Sequence, residues 1–240
     1  MTAITPEGAE LLARARELAP LFRSRAADAE KLRRIPAESI DDLRRAGLFR
    51  TLVPAVLGGY QLPLDEAVLI TATIAEGCAS TGCVQGIFAD HCATLGMFDG
   101  QAQKDVWGVS PDSRISSGFQ PAGKAVRTDG GYRLSGRWPF SSGCDYADWM
   151  LVRSFVPADR DTEPPELCMF LVPRSDCTII DNWFVMGMSA TGSKDFQLND
   201  EVFVPAHRAL SNQALENGTG PAAAFNGGAL YRLPPHATLP

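Results

Sequence analysis

The sequence is short of the features that would assign it to a membrane, secretory or nucleic-acid-binding class. No apolar run approaches the roughly 20 residues of a membrane-spanning helix. The first residues, MTAITPEGAELLARARELAP, have no basic start followed by an apolar block. We therefore expect no membrane span, no signal or transit peptide, and a cytoplasmic location. The net charge of −6 is opposite in sign to the surplus of Lys and Arg that phosphate neutralisation requires, so no nucleic-acid partner is expected and small molecules are favoured.

Motifs for metals and dinucleotides are also missing. The six cysteines form no CxxC pair and no zinc-like spacing with the three histidines, so we predict reduced, mostly buried thiols and no metal site. No GxGxxG stretch follows a strand and opens a helix, so this chain is not expected to bind NAD(P)H.

What the sequence does contain is a change of character near residue 110, where helical patterns give way to β patterns. Its 240 residues are enough for two domains. Apolar spacing predicts helices over residues 5–29, in IPAESIDDLRRAGL, from Pro63 or Leu64 through DEAVLITATIAEGCA, in CVQGIFADHCATLGMF and in GQAQKDVWG. The fourth is apolar all round, so we expect it to be central and buried, with Ser80 or Thr81 as its N-cap.

From Arg114 onward, short β-type segments alternate with turn residues. They predict a small antiparallel barrel or sandwich, with segments RISSGF, KAVRT, YRLSGRWPF, DWMLVRSF, ELCMFLV, CTIID and KDFQLNDEVFV. Asp129-Gly130-Gly131 predicts a hairpin after KAVRT, because glycine accepts the positive φ angles of tight hairpins. The predicted fold class is α+β: an all-α domain over 1–110, a β domain over 111–210, and a linker over 211–240 that opens a further helical domain.

Three stretches resemble one known family. LRRAGLFRTLVPAVLGGYQLP and WFVMGMSATGSKDFQLNDEVFVPAHR are similar to signatures of the acyl-CoA dehydrogenase superfamily. GGYRLSGRWPFSSGCDYADWMLV resembles the oxygenase components of two-component flavin-dependent monooxygenases, such as those acting on 4-hydroxyphenylacetate or steroid-derived phenols. Together these matches span nearly the whole chain in the family's order.

The resemblance implies hydroxylation of a phenolic substrate by reduced flavin (FAD or FMN) and O2, through a flavin C4a-hydroperoxide. It also implies a separate NAD(P)H-flavin reductase as the electron source and a homotetramer. Members of the family continue into a C-terminal four-helix bundle, and we expect this chain to stop at its threshold.

The family's functional positions transfer to three catalytic candidates. The resemblance places Ser142 and Ser117 against the flavin N5 and the peroxide side, and His91 near the substrate phenol as a neutral acceptor of its proton. The plain alternatives are serines that satisfy backbone groups in turns and a histidine bonded to a carbonyl in the core.

Further candidates for holding the flavin are aromatic, loop and basic residues. Trp138 and Phe140 can line the isoalloxazine pocket or fill the β core. Thr191, Gly192 and Ser193 can bind a ribityl or phosphate group or form a simple turn. Arg232 matches a family Arg suited to a phosphate or an acidic substrate group, and its alternative is a solvated cation. Cys83 stands where relatives often carry Trp.

Two other functions stay open at this point. One is a true acyl-CoA dehydrogenase, which abstracts an α-proton from an acyl thioester with a carboxylate and tightly bound FAD. The other is an inactive, truncated remnant whose exposed apolar surface favours self-association.

Overall fold

The computed structural model describes residues 4–158, 160 and 163–234 of the chain. Helices occupy the first part as the apolar spacing predicted, and a short sixth helix follows the strands. Their bounds are α1 Pro6–Leu32, α2 Ala37–Arg45, α3 Leu64–Gly77, α4 Ala79–Leu95, α5 Gly100–Trp107 and α6 Asn212–Glu216. None of the helices in these residues is both long enough and apolar enough to cross a membrane.

Helix α4 is the centre of the helical part. Most of its side chains are buried, which confirms the expectation of a central helix. The predicted N-caps are wrong: the capping position is Cys78, without a side-chain cap, and Ser80 and Thr81 lie inside the helix. Ser80 Oγ instead donates a hydrogen bond to Glu30 in α1 at 2.9 Å, a partner that local sequence could not reveal.

Ten strands follow within the described residues, and they form three sheets with the orders β1-β5-β6-β10, β2-β3-β9 and β4-β8-β7. Their bounds are β1 Ile115–Gly118, β2 Lys124–Thr128, β3 Gly131–Ser135, β4 Arg137–Ser141, β5 Trp149–Val156, β6 Glu166–Pro173, β7 Cys177–Ile180, β8 Lys194–Leu198, β9 Val202–Pro205 and β10 Ala209–Ser211. The α+β class is confirmed, although the described strands close no barrel. The pairing of β1 with β5 is parallel, which is possible because a long crossover through β2–β4 separates them.

Two local features of the β part bear on the site. The predicted hairpin is confirmed, since β2 and β3 pair up to Thr128 and Gly131 around Gly130, whose φ is 73°. Strand β4 has a register shift between Trp138 and Ser141, and Phe140 within it has a φ of 59°. Such a bulge redirects the side chains that follow it.

The helical and β parts share an apolar core. Ala89 and Cys92 of α4 and Val106 of α5 pack with Ile115 of β1 and Leu151 of β5. Helix α5 ends at Trp107 and the first strand starts at Ile115. The domain limits at 110 and 210 stay a prediction, and residues 235–240 of the predicted linker lie outside the described residues.

Candidate functional site

His91 lies in the middle of α4 and is completely buried. Its Nδ1 is 2.7 Å from the carbonyl oxygen of Ile115 in β1, so Nδ1 carries the hydrogen and Nε2 carries the lone pair. Nε2 is buried and has no hydrogen-bond partner among the described residues. Burial lowers the pKa of His91 to about 4, despite the opposing effect of the Ile115 carbonyl, so the imidazole is neutral near pH 7.

The SSG turn, residues 141–143, is fixed against the same strand. Ser116 Oγ donates to the carbonyl oxygen of Ser142 at 2.7 Å and lies 2.8 Å from Ser141 Oγ. Strand β1 is an edge strand, which leaves backbone groups free to bind side chains. His91 and Ser142 are therefore anchored to consecutive residues, Ile115 and Ser116.

A chain of hydroxyl groups starts at Ser142. Ser142 Oγ is 2.7 Å from Ser193 Oγ, which is 2.7 Å from Thr191 Oγ1. Thr191 donates its one hydrogen to the carbonyl of Met188 at 2.8 Å, because a carbonyl only accepts. It follows that Ser193 donates to Thr191 and Ser142 to Ser193. Ser142 is left with free lone pairs, so its half-buried oxygen can accept a further hydrogen bond.

Ser117 is buried on the other face of β1 from Ser116. Alternation along the strand gives it the face of Ile115, and it pairs with Leu151 in the shared core. Ser117 therefore faces the helical part, the side on which His91 lies, whereas Ser142 extends toward the loop that carries Thr191 and Ser193. The contact of Ser117 with a flavin stays a prediction.

The two aromatic candidates of β4 have different surroundings. Trp138 is fully buried, stacks on Phe196 with ring centroids 5.7 Å apart, and donates from Nε1 to the Arg153 carbonyl at 2.8 Å. Of the two roles expected for Trp138, this packing agrees with a place in the β core. It gives no support to a contact with the flavin. Phe140 is exposed and meets Trp183 edge to face at 6.2 Å, beside the SSG turn.

The loop from Ser189 to Ser193 is held on the helical part by a single carboxylate. Glu30 of α1 accepts hydrogen bonds from the backbone nitrogens of Ser189 and Ala190 and from the hydroxyls of Ser189 and Ser80. Burial would raise the pKa of Glu30, but these bonds together lower it. Gly192 has a φ of 55°, and its nitrogen donates to the Ser189 carbonyl, so that nitrogen is not free for a phosphate.

Arg232 is far from that loop. Its neighbour Tyr231 packs on Gly96 at the end of α4, whereas Met188, immediately before the loop, meets the start of the same helix at Ser80. The two ends of α4 are about 24 Å apart at 1.5 Å per residue. Within one chain, Arg232 and the Ser189–Ser193 loop therefore do not bind the same phosphate.

An apolar groove of about 690 Å³ runs between α3 and α4. Gly82, Cys83, Gly86 and Asp90 are among the residues of α4 that line it. Cys83 is the partly exposed thiol, and the other five cysteines are free and buried, as predicted. Neither His91 nor Ser142 lines this groove, so the predicted cleft between those two side chains is not this cavity.

Sequence reasoning missed Ser116, Ser141, Phe119 and Glu30. The usable signal for the first two was the repeated triplet SSG, at residues 116–118 and 141–143. Both glycines stand at close contacts: a Cβ on Gly118 would lie 2.3 Å from Trp138, and one on Gly143 would lie 2.7 Å from Phe88. No comparable signal exists for Phe119 or Glu30, whose partners are distant in sequence.

Comparison with known proteins places this site in a family. Residues 5–108 match the family described as acyl-CoA dehydrogenase, N-terminal domain. The chain is 43% identical over 219 residues to the flavin-dependent monooxygenase oxygenase subunit HsaA of Rhodococcus jostii, covering 90% of this chain and 56% of that protein. It is 40% identical to the oxygenase component of the FADH(2)-dependent resorcinol hydroxylase of a Rhizobium species, covering 90% and 52%.

Solved structures agree with the sequence matches. The crystal structure of the HsaA monooxygenase from M. tuberculosis superimposes with a TM-score of 0.89 at 40% identity, covering 95% of this chain and 58% of that chain. The chain thus spans a little over half the length of the relatives it matches. The protein belongs to the acyl-CoA dehydrogenase-like superfamily, and over this span it is a homologue of the oxygenase subunits of flavin-dependent monooxygenases.

Proposed function

We propose that the protein is the oxygenase component of a two-component, flavin-dependent monooxygenase that hydroxylates a phenolic substrate. The observation that carries this proposal is His91, a neutral imidazole whose buried Nε2 lone pair has no partner in the part of the chain that the structure describes. Buried polar atoms are rarely left unsatisfied without a functional reason. A phenolic hydroxyl is a donor of the kind that this atom lacks, and the relatives described above bear monooxygenase and hydroxylase names rather than dehydrogenase names.

The residues around Ser142 fit one edge of a reduced flavin, whose N5 carries a hydrogen. Bound reduced flavin would supply the activated form of O2. The order of hydrogens from Ser142 to Met188 leaves Ser142 Oγ as an acceptor for that N5–H. Phe140 and Trp183 add aromatic surface beside the turn. This arrangement is common to FAD and FMN, so both stay candidates.

His91 acts on the phenol. Because Nδ1 is bound to the Ile115 carbonyl, the ring is fixed with Nε2 as the acceptor. A phenol that donates to Nε2 gains electron density in its ring and becomes a better nucleophile toward oxygen. Phe119 meets the imidazole edge to face at 5.2 Å and is only partly buried, so an aromatic surface lies beside the proposed phenol acceptor.

The remaining parts of the proposal come from the relatives' names and the family pattern. An oxygenase component implies a second protein, and we assign that role to an NAD(P)H-flavin reductase that delivers reduced flavin. The homotetramer and the cytoplasmic location also stay predictions.

The test is the yield of hydroxylated product per reduced flavin oxidised, measured with the full-length protein. His91→Asn keeps an amide hydrogen for the Ile115 carbonyl and removes the Nε2 acceptor. We expect flavin oxidation to continue, hydrogen peroxide to replace the product, and the yield to fall by roughly 100-fold, the lower range for loss of a general base.

The matched control is His207→Asn. His207 bonds Asp105 of α5 at 2.8 Å and has no part in the proposed reaction, so its replacement should leave the yield intact. An unchanged yield in His91→Asn would remove His91 from the mechanism.

A further inference from the structure

The chain of hydroxyl groups that starts at Ser142 ends at a backbone carbonyl. Thr191 Oγ1 lies 2.8 Å from the carbonyl oxygen of Met188, and Ser193 Oγ lies 2.7 Å from both Thr191 Oγ1 and Ser142 Oγ. Thr191 and Ser193 are buried, so solvent does not compete for their hydrogens. A hydroxyl has one hydrogen to donate, whereas a carbonyl has none. The carbonyl at the far end therefore decides in which direction each hydroxyl of the chain donates.

The carbonyl of Met188 is held in place by its own backbone and by the helical part of the protein. Met188 has a left-handed φ of 57°, and its carbonyl also accepts a hydrogen bond from the backbone nitrogen of Thr191 at 3.1 Å. The next residue, Ser189, donates from its backbone nitrogen to the carboxylate of Glu30 in α1 at 2.9 Å. The direction of the hydroxyl chain is therefore set by the fold before any flavin binds.

This direction matters because N5 of a flavin changes its hydrogen-bonding character with its redox state. Reduced flavin carries a hydrogen on N5 and donates it, whereas oxidised flavin has only a lone pair there and accepts. Ser142 gives its one hydrogen to Ser193, so its oxygen offers lone pairs to a flavin in the proposed position. Ser142 therefore matches the N5–H of the reduced form, and in the oxidised form it sets lone pairs against a lone pair.

Resting on the proposed function, we infer that Thr191 is a positioning residue that makes the site select reduced over oxidised flavin. It acts through the direction that its hydroxyl imposes on Ser193 and, through Ser193, on Ser142. For Ser142 to donate to oxidised N5, all three hydroxyls must reverse, and the hydrogen bond from Thr191 to the Met188 carbonyl is lost. The selection is therefore worth one hydrogen bond between neutral groups, which corresponds to roughly threefold to tenfold in affinity.

The test is the affinity of the full-length protein for FMN and for FAD, each in its oxidised and its dithionite-reduced form, measured by anaerobic ultrafiltration without a phenol. We expect the unmodified protein to bind the reduced forms more tightly. Thr191→Val keeps the shape of the side chain and removes its hydroxyl. Ser193 can then donate to Ser142, and Ser142 can donate to oxidised N5. Thr191→Val should therefore bind oxidised flavin more tightly than the unmodified protein does, by roughly threefold to tenfold.

A gain in affinity separates this role from a merely structural one, because damage to the loop weakens the binding of both flavin forms. Ser193→Ala interrupts the same chain one link nearer to Ser142 and should give the same gain for oxidised flavin. Thr191→Ser restores the hydroxyl and should restore the selection. Thr73→Val is the matched control, since the Thr73 hydroxyl donates to the carbonyl of Leu69 within α3 at 2.9 Å. This replacement should change neither affinity.

Weaker or unchanged binding of oxidised flavin in either variant that folds would overturn the inference. Equal affinity of the unmodified protein for the two redox forms, or binding of neither, would overturn it as well. If Thr191→Val fails to fold in a thermal melt, Ser193→Ala decides. A protein that selects reduced flavin, loses this selection in the variants and forms no hydroxylated phenol would reject the proposed function and leave the role of Thr191 standing. Hydroxylation with equal affinity for the two forms would have the reverse meaning.

Discussion

Trp138 and Phe140 lie two residues apart in β4, yet their surroundings are opposite. Side chains two apart in a regular strand share a face, but Trp138 is 0% exposed and Phe140 is 66% exposed. The register shift after Trp138 and the φ of 59° at Phe140 account for the difference. The bulge ends the core face of the strand and turns the next aromatic outward beside the SSG turn. In β4 the backbone conformation therefore decides whether an aromatic side chain packs in the core or faces outward.

The largest expected effect tests this division directly. Trp138→Ala removes a fully buried ring and should lower the free energy of unfolding by about 3–5 kcal/mol. Phe140→Ala removes an exposed ring and should change it by less than about 0.5 kcal/mol. Urea unfolding of the two variants measures both values.

Affinity for reduced flavin should respond in the opposite sense. Phe140→Ala should weaken binding by roughly threefold to tenfold, the range for loss of one aromatic contact, whereas Trp138→Ala should affect binding only through stability. Similar losses of stability in both variants would show that β4 has one continuous core face.

The same bulge marks the limit of what the sequence predicts. Helices α1 to α5 and the β2–β3 hairpin follow from periodicity and turn residues, which are local properties. A positive φ at a phenylalanine has no local signal, because glycine and asparagine are the residues that usually adopt it. The resemblance to the oxygenases indicates Ser142 and His91, but it does not reveal the contacts that make their side chains hydrogen-bond acceptors.

Those contacts are made across the fold. The acceptor character of Ser142 depends on Thr191 and Met188, about 50 residues away in sequence. The wrong N-cap prediction has the same origin, since Ser80 bonds Glu30 rather than the helix terminus. For Trp138 the sequence gives equal reason for the flavin pocket and for the β core, and its buried stacking on Phe196 is typical of a core residue.

His91 differs from both aromatic residues of β4, because it is as buried as Trp138 and yet belongs to the proposed site. Its pKa is about 4 in the folded protein and about 6.5 in the unfolded chain. Below pH 6.5 the unfolded chain binds a proton that the folded protein does not. The free energy of unfolding therefore decreases as the pH is lowered from about 6.5 to about 4. The pKa difference corresponds to about 3 kcal/mol.

The measurement is the free energy of unfolding at pH 7 and at pH 4 for the unmodified protein and for His91→Asn. The variant should lose about 3 kcal/mol less over this interval. The shifts of Glu30, Asp105 and Asp181, whose pKa values are lowered, occur in both proteins and cancel in the difference. Parallel pH curves would mean that His91 takes up a proton in the folded state.

The smallest effect concerns the backbone of the bulge itself. At Phe140 the left-handed φ penalises every residue that has a Cβ, by about 1–2 kcal/mol. Phe140→Gly should therefore be more stable than Phe140→Ala by about 1 kcal/mol. Phe155 is a suitable control, because it is also half exposed but lies in the regular strand β5. There glycine should be less stable than alanine, by about 0.5–1 kcal/mol. The opposite signs isolate backbone conformation from the loss of the ring, which is common to all four variants. If alanine were the more stable replacement at both positions, the bulge would not be the cause of the difference between Trp138 and Phe140.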